Sequence, residues 1–390
     1  MLNSERRQTL VDLTRELIEI KSLSGEEGQL VQFLGRIMPD FSLDRVGVDR
    51  VGNITGTTSG QRPGQKILLD AHLDTVPAEG DDWLASPFSP FTSEGKIFGR
   101  GASDMKGSLA AMLCAVSFFR ADYGCDFAGE ITVSGTVLEE FLEGVAAREV
   151  SSQLQPDLII IGEATDLKIN IGQRGRAEIV IATRGQSAHS SSPEQGHNAV
   201  YDMMTVIGEI RGLERPLHPL LGEGILELTD IKSEPYPGAS VVPSRCRASF
   251  DRRLLAGETR EEVLEELQGV LGRQKGMHWE LEIPVLEKET WKGATLQAEQ
   301  FFPPWIMDEE HFLVKKARQG VARQRLETKI GHYSFCTNGS HYAGEAGIPT
   351  IGFGPSRENL AHIDNEYIEI EELEKGCRGY YGILQSLCGV

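Results

Sequence analysis

Short apolar runs that stop at a histidine or a carboxylate constrain this chain more than any other feature. KILLDA (66–71) is followed at once by His72 and, two residues on, by Asp74. ITVSGTVL (131–138) is followed by Glu139 and Glu140, and DLIII (157–161) by Glu163 two residues later. Such runs predict buried strands. The segments between them, Gly107 to Phe119 and Gly144 to Leu154, read as helices. Strands alternating with helices predict an α/β sheet with helices on its faces. In open sheets of this kind ligands gather outside the carboxyl ends of the strands, where these polar residues stand.

With 390 residues the chain is too long for one ordinary core. Its first segment is helical, with Leu10, Leu13, Leu17 and Ile18 near helical spacing. From about Gly172 the texture changes. AEIVIAT (177–183) alternates like a half-exposed strand, and a helix runs from about Gly196 to Arg211. ILELTDI (225–231), VVPSRCRASFDRR (241–253), a charged helix near Thr259 to Leu271, and HWELEI (278–283) follow. The order β-α-β-β-α-β is that of a ferredoxin-like unit. The first texture then returns in a helix over Asp308 to Val321, the strand IPTIGFG (348–354) and a last helix over Ile370 to Leu387. The expected architecture is α/β: a mixed-sheet catalytic domain with helices on both faces, residues 1–173 and 291–390, interrupted by an inserted ferredoxin-like α+β domain, residues 174–290.

Charge and composition exclude other classes. Asp plus Glu outnumber Lys plus Arg by 58 to 39, and the net charge of −19 repels nucleic acid and anionic membranes. The charged N-terminal segment lacks the apolar core of a secretory signal, and no run of about 18 apolar residues occurs, so no membrane partner is expected. The six scattered cysteines form no CxxC pair and read as reduced thiols, which places the protein in the cytoplasm.

The polar residues at the strand ends carry metal chemistry. Asp104 lies in a glycine-rich turn, GRGASDMKG (99–107), and His362 in the loop after IPTIGFG. Two imidazoles and three carboxylates suit zinc, cobalt or manganese better than calcium or copper(I). They exceed the needs of one catalytic ion, and a shared carboxylate, most naturally Asp104, could hold two ions roughly 3.5 Å apart. Asp74 is placed to orient the His72 imidazole. The side chains of Glu139 and Glu140 must diverge, so one can ligate while the other takes a proton from an attacking water.

HLDTVP (72–77), GRGASDMKG (99–107), LEE (138–140), GEATD (162–166), GQSAHSSSPEQGHNA (185–199) and AHIDNE (361–366) occur in that order. Over nearly the whole chain they resemble the acetylornithine deacetylase, succinyl-diaminopimelate desuccinylase and carboxypeptidase G family of dinuclear metallohydrolases. The resemblance implies one ion on His72 and Glu163, a second on Glu140 and His362, Asp104 between them, and Glu139 as general base. It implies that the insertion is a lid that mediates a homodimer. His189 would then stabilise the oxyanion in the partner's site, and Arg253 would bind a substrate carboxylate. The sequence departs from relatives at Leu138, where an Asp is common, a change expected to affect only local packing. It departs again at Ser240, where a substrate-contacting Asn is common. The segment CTNGSHYAGEAGIPTIGFGP (336–355) could line a carboxylate pocket, with Asn338 as a substrate contact. His332 and His341 are not expected as ligands, the five-ligand set being complete without them. The expected activity is hydrolysis of the amide bond of an N-acyl amino acid or small peptide with a free carboxylate. Alternatives are a dipeptidase or aminopeptidase of the same chemistry, and a catalytically inactive metal-binding protein.

Overall fold

The computed structural model describes residues 2–78 and 82–390. The chain divides into two compact units: Met1–Gln173 with Glu287–Gln297 and Trp305–Val390, and Arg174–Leu286 with Ala298–Pro304. In chain order the first unit begins with helices α1 (Ser4–Glu19) and α2 (Gly28–Ile37), strands β1 (Arg45–Val48), β2 (Ile54–Ser59) and β3 (Arg62–His72), and helix α3 (Gly107–Tyr123). It continues with β4 (Ala128–Thr136), α4 (Ala147–Leu154), β5 (Leu158–Ile161) and β6 (Ile169–Gln173). The second unit holds β7 (Gly175–Arg184), α5 (Ala199–Arg211), β8 (Ile225–Glu234), β9 (Arg245–Leu254), α6 (Arg260–Leu271) and β10 (His278–Glu282). The first unit closes with β11 (Trp305–Ile306), α7 (Phe312–Arg323), β12 (Ile330–Tyr333), β13 (Thr350–Gly352) and α8 (Ile370–Leu387).

Among the described residues the first unit's main sheet has nine strands, in the order β1-β2-β4-β3-β5-β13-β6-β11, with β12 also on β6. Its centre is parallel: β3 pairs with β4 and β5, and β5 with β13. β2 runs antiparallel to β4, and β6 to β13, which makes the sheet mixed. The four residues of β5 (LIII) are all buried, as strands covered on both faces are. Leu68, Ile159 and Ile161 pack beneath Ala147 and Val150 of α4. Helices α1, α3, α7 and α8 pack against one another. Where α7 crosses α8, a Cβ on Gly320 would lie 2.3 Å from the Gly382 carbonyl oxygen, so only glycine allows this approach.

Strand β3 enters from solvent and ends inside: its first five residues are exposed and its last six buried. That gradient delivers His72 to the interior. The expected strand over 131–138 stops at Thr136. Leu138, fully buried, takes a left-handed φ of 57° that turns the chain out of the sheet. Helix α4 starts at Ala147 rather than Gly144, and α7 at Phe312 rather than Asp308, where the His311 side chain accepts the Leu313 N–H as a cap.

The second unit orders its long strands β8-β9-β7-β10, all antiparallel. The alternation read in AEIVIAT is real: Ala177, Ile179 and Ile181 point into a core shared with Cys246, Ala248 and Phe250 of β9. Met203, Val206 and Ile210 of α5, with Val263 and Leu267 of α6, close it. Thr259 caps α6 in a reciprocal capping box with Glu262. Strand order and helix placement are those of a ferredoxin-like unit.

Candidate metal centre

The parallel strands and the turns that follow them bring the five expected ligands together. His72 is the last residue of β3, and Glu163 lies just beyond β5. Glu140 follows β4, Asp104 precedes α3, and His362 lies in the loop after β13. His72 Nε2 is 2.8 Å from Asp104 Oδ1 and 3.3 Å from Glu163 Oε1. His362 Nε2 is 3.1 Å from Asp104 Oδ2 and 3.0 Å from Glu140 Oε2. Two His-carboxylate triads therefore share Asp104, one through each of its oxygens, and each is compact enough to hold a metal ion.

The donor chemistry fits a cation. His72 Nδ1 lies 2.8 Å from the Asp74 carbonyl oxygen, which can only accept, so the proton of the neutral ring sits on Nδ1. Its Nε2 lone pair then faces the carboxylates of Asp104 and Glu163, an arrangement that requires a proton or a metal ion between them. Without a metal, protons fill that place. Burial opposes charge on His72, but Glu163 and Asp104 raise its pKa well above the ordinary imidazole value. Hydrogen bonds to Asp104 and Glu140 raise His362 to about 10. Asp104 is buried, yet bonds from both imidazoles hold it well below the usual carboxylate range. Burial and the charge of Asp104 push Glu140 to about 7, against the pull of His362.

Glu139 differs from its neighbour. It is 6% exposed, and its Oε1 is buried without a hydrogen-bond partner. Burial raises its pKa well above the carboxylate range; His72 opposes the shift, and Glu163, Glu140 and Glu143 add to it. A carboxylate so placed accepts a proton readily.

Two expected roles need correction. The Asp74 carboxylate does not hold the His72 ring: its Oδ1 is 3.8 Å from Nδ1, and the backbone carbonyl of Asp74 takes that proton instead. Asn338 is not poised for substrate. It is 3% exposed, donates to Asp70 and Thr136 at 2.9 Å each, and accepts the Gly144 N–H. It joins a buried network in which Ser134 and Tyr342 also donate to Asp70. His341 lies between Ser151 and Glu345, apart from both triads. In the second unit, Arg253 pairs with Asp251 at 2.6 Å. His189 is exposed, and its Nδ1 accepts the Ser191 N–H at 3.1 Å, which leaves Nε2 to carry the proton of the neutral ring.

Other residues at the centre gave no signal of their own. Glu366 is fully buried; its Oε1 accepts the N–H groups of Ser103 (2.7 Å) and Asp104 (3.0 Å), and Arg100 holds its Oε2 at 2.8 Å. It closes the AHIDNE motif, four residues after His362, and that spacing was its only trace. Glu27 and Ser24, far off in sequence, had none.

The sequence model described as "Peptidase family M20/M25/M40" matches residues 68–386. The chain belongs to this family. A protein of Escherichia coli K12 called YgeY, described as uncharacterized, is 34% identical over 360 residues, 90% of this chain and 88% of its own. The acetylornithine deacetylase of Salmonella arizonae is 29% identical over 385 residues, 92% of each chain. A tripeptidase of Staphylococcus aureus shares the fold at a TM-score of 0.79 and 19% identity, over 98% of this chain and 99% of its own. This M20 member is thus a metallohydrolase by family, with a candidate metal centre at the carboxyl edge of its sheet.

Proposed function

We propose that this member hydrolyses the amide bond of an N-acyl amino acid, or of a small peptide with a free carboxylate. The observation that carries the reading is the pair of triads sharing Asp104 beside the unpartnered Glu139 Oε1. His72 and Glu163 would hold one divalent ion, Glu140 and His362 the other, and Asp104 both; zinc fits this donor set, as do cobalt and manganese. Ions bound there would polarise the scissile carbonyl and bring the pKa of a water toward about 7. Glu139 takes the proton of the attacking water and delivers it to the departing amine. Likeness to a protein named acetylornithine deacetylase supports a deacylase.

His189 Nε2–H is the proposed donor to the oxyanion in the site of a neighbouring subunit, and Arg253 the contact for the substrate carboxylate. The homodimer would form on the second unit. Tyr201 and Met204, one turn apart on α5, are 69% and 62% exposed, and β8 is an open edge strand of the sheet. The charge of −19 disfavours nucleic acid as partner. Among the described residues no helix is long and apolar enough to cross a membrane. The six scattered cysteines, with no CxxC pair, suit the proposed cytoplasmic location.

The test is a panel of acetyl-, succinyl- and formyl-amino acids beside dipeptides and tripeptides, run on chain reloaded with Zn²⁺, Co²⁺ or Mn²⁺. Turnover of acyl amino acids over peptides is expected. Peptides alone as substrates would make it a peptidase, and silence across the panel at full metal occupancy would sink the hydrolase reading.

A further inference from the structure

Asp74 is 1% exposed, and its carboxylate holds amides 65 and 66 residues away. Its Oδ1 accepts the Glu139 N–H at 3.0 Å, and its Oδ2 accepts the Glu140 N–H at 3.1 Å and the Ser24 hydroxyl at 2.7 Å. The preceding amide, Leu138 N–H, donates to Oε1 of the fully buried Glu27 at 3.1 Å, which also takes the Gly25 N–H. Three successive amides thus point at two buried carboxylates. The left-handed φ of Leu138 begins this turn, and successive N–H groups so arranged form an anion-binding concavity. That conformation is unfavourable for a residue with a Cβ, and the hydrogen bonds to the two carboxyl groups offset it.

We propose that Asp74 is a positioning residue for the Glu139–Glu140 turn, fixing the proton acceptor and the neighbouring ligand together. The inference rests on the reading of Glu139 as base and Glu140 as ligand. Its physical ground is geometric: both oxygens of one buried carboxylate hold the backbone of the turn at successive amides. Asp74 ties it at the two residues whose side chains must diverge. Glu140 Oε2 then reaches His362 Nε2 at 3.0 Å, while Glu139 Oε1 stays unpartnered.

The test is a pair of double-mutant cycles read by Co²⁺ titration of the metal-free full chain. In Asp74→Asn the side-chain NH2 faces an N–H donor, and Co²⁺ affinity should fall by about 10- to 100-fold. On a Glu140→Gln background D74N should add less than about 2-fold, whereas on a His72→Asn background it should keep its full effect. A full effect on E140Q, or wild-type affinity in D74N itself, overturns the proposal. Ser24→Ala, which removes one of three bonds to Asp74, serves if D74N does not fold; a loss of about 2- to 5-fold that vanishes on E140Q supports the tie, and any other pattern overturns it. Glu139→Gln separates this from the base reading. Normal turnover in E139Q would end the base assignment, while the Co²⁺ cycles still decide the tie to Glu140.

Discussion

The two halves of the candidate metal centre share Asp104 but differ in the exposure of their histidines. The side chains of His72 and Glu163 are 1% and 4% exposed, whereas that of His362 is 51% exposed. The buried half stands on strand ends: His72 closes β3, and Glu163 lies two residues past β5. The open half stands on turns held in left-handed conformations, Leu138 at φ 57° and His362 at φ 62°. The contrast lies in the histidines, since the Glu140 side chain in the second half is only 9% exposed.

The largest effect expected on this contrast concerns Glu139, which extends the buried half. Glu139→Gln should lower kcat by about 10²- to 10⁴-fold with metal content unchanged, measured by turnover and metal analysis together. Next come the two histidines in the metal-free chain. His72→Ala leaves Glu163 buried without its imidazole partner and takes from Asp104 one of its two, and should cost about 3–5 kcal/mol in urea unfolding with chelator present. His362→Ala should cost about 1 kcal/mol or less, because solvent screens the exposed ring. Equal costs would erase the distinction between the halves. Glu366→Gln loosens the Ser103–Asp104 turn that serves both, and should weaken Co²⁺ binding by about 10- to 100-fold at both sites alike.

The smallest effect is on pH. In the metal-free chain folding raises His362 from 6.5 to about 10 and Glu140 from 4.5 to about 7. A group whose pKa rises on folding stabilises fully below its ordinary value, and that stability is lost as pH climbs through the folded value. The Tm in chelator should therefore fall as pH rises from about 5 to 10. H362A should remove the upper part of that fall, above about 6.5. Ion-loaded chain should show a flatter profile, because metal replaces the protons.

Much of this candidate centre is legible in the sequence. Apolar runs ending in His72, Glu139, Glu140 and Glu163 predicted strand ends, and strand ends of a parallel sheet converge on one edge. The ferredoxin-like order was legible because side-chain alternation reports a one-sided core directly. Asn338 was misjudged because its side-chain partners Asp70 and Thr136 lie far from it in the sequence, and Asp74 for a different reason. A carboxylate or amide that binds a backbone N–H leaves no residue-type mark at its partner, since every residue except proline has that group. Glu366 stood inside a quoted motif and Glu27 in none, and both serve through the same kind of bond.

Sequence by itself determined which groups gather at the sheet edge and marked them as a candidate dinuclear ligand set. Only the tertiary structure decided what Asp74 holds, that Glu139 keeps an unpartnered oxygen, and that His362 opens to solvent while His72 is buried. The physical reason is that ligand chemistry resides in side-chain type. Burial and backbone hydrogen bonds depend on segments far apart in the chain, such as Glu27 and Leu138, being folded against each other.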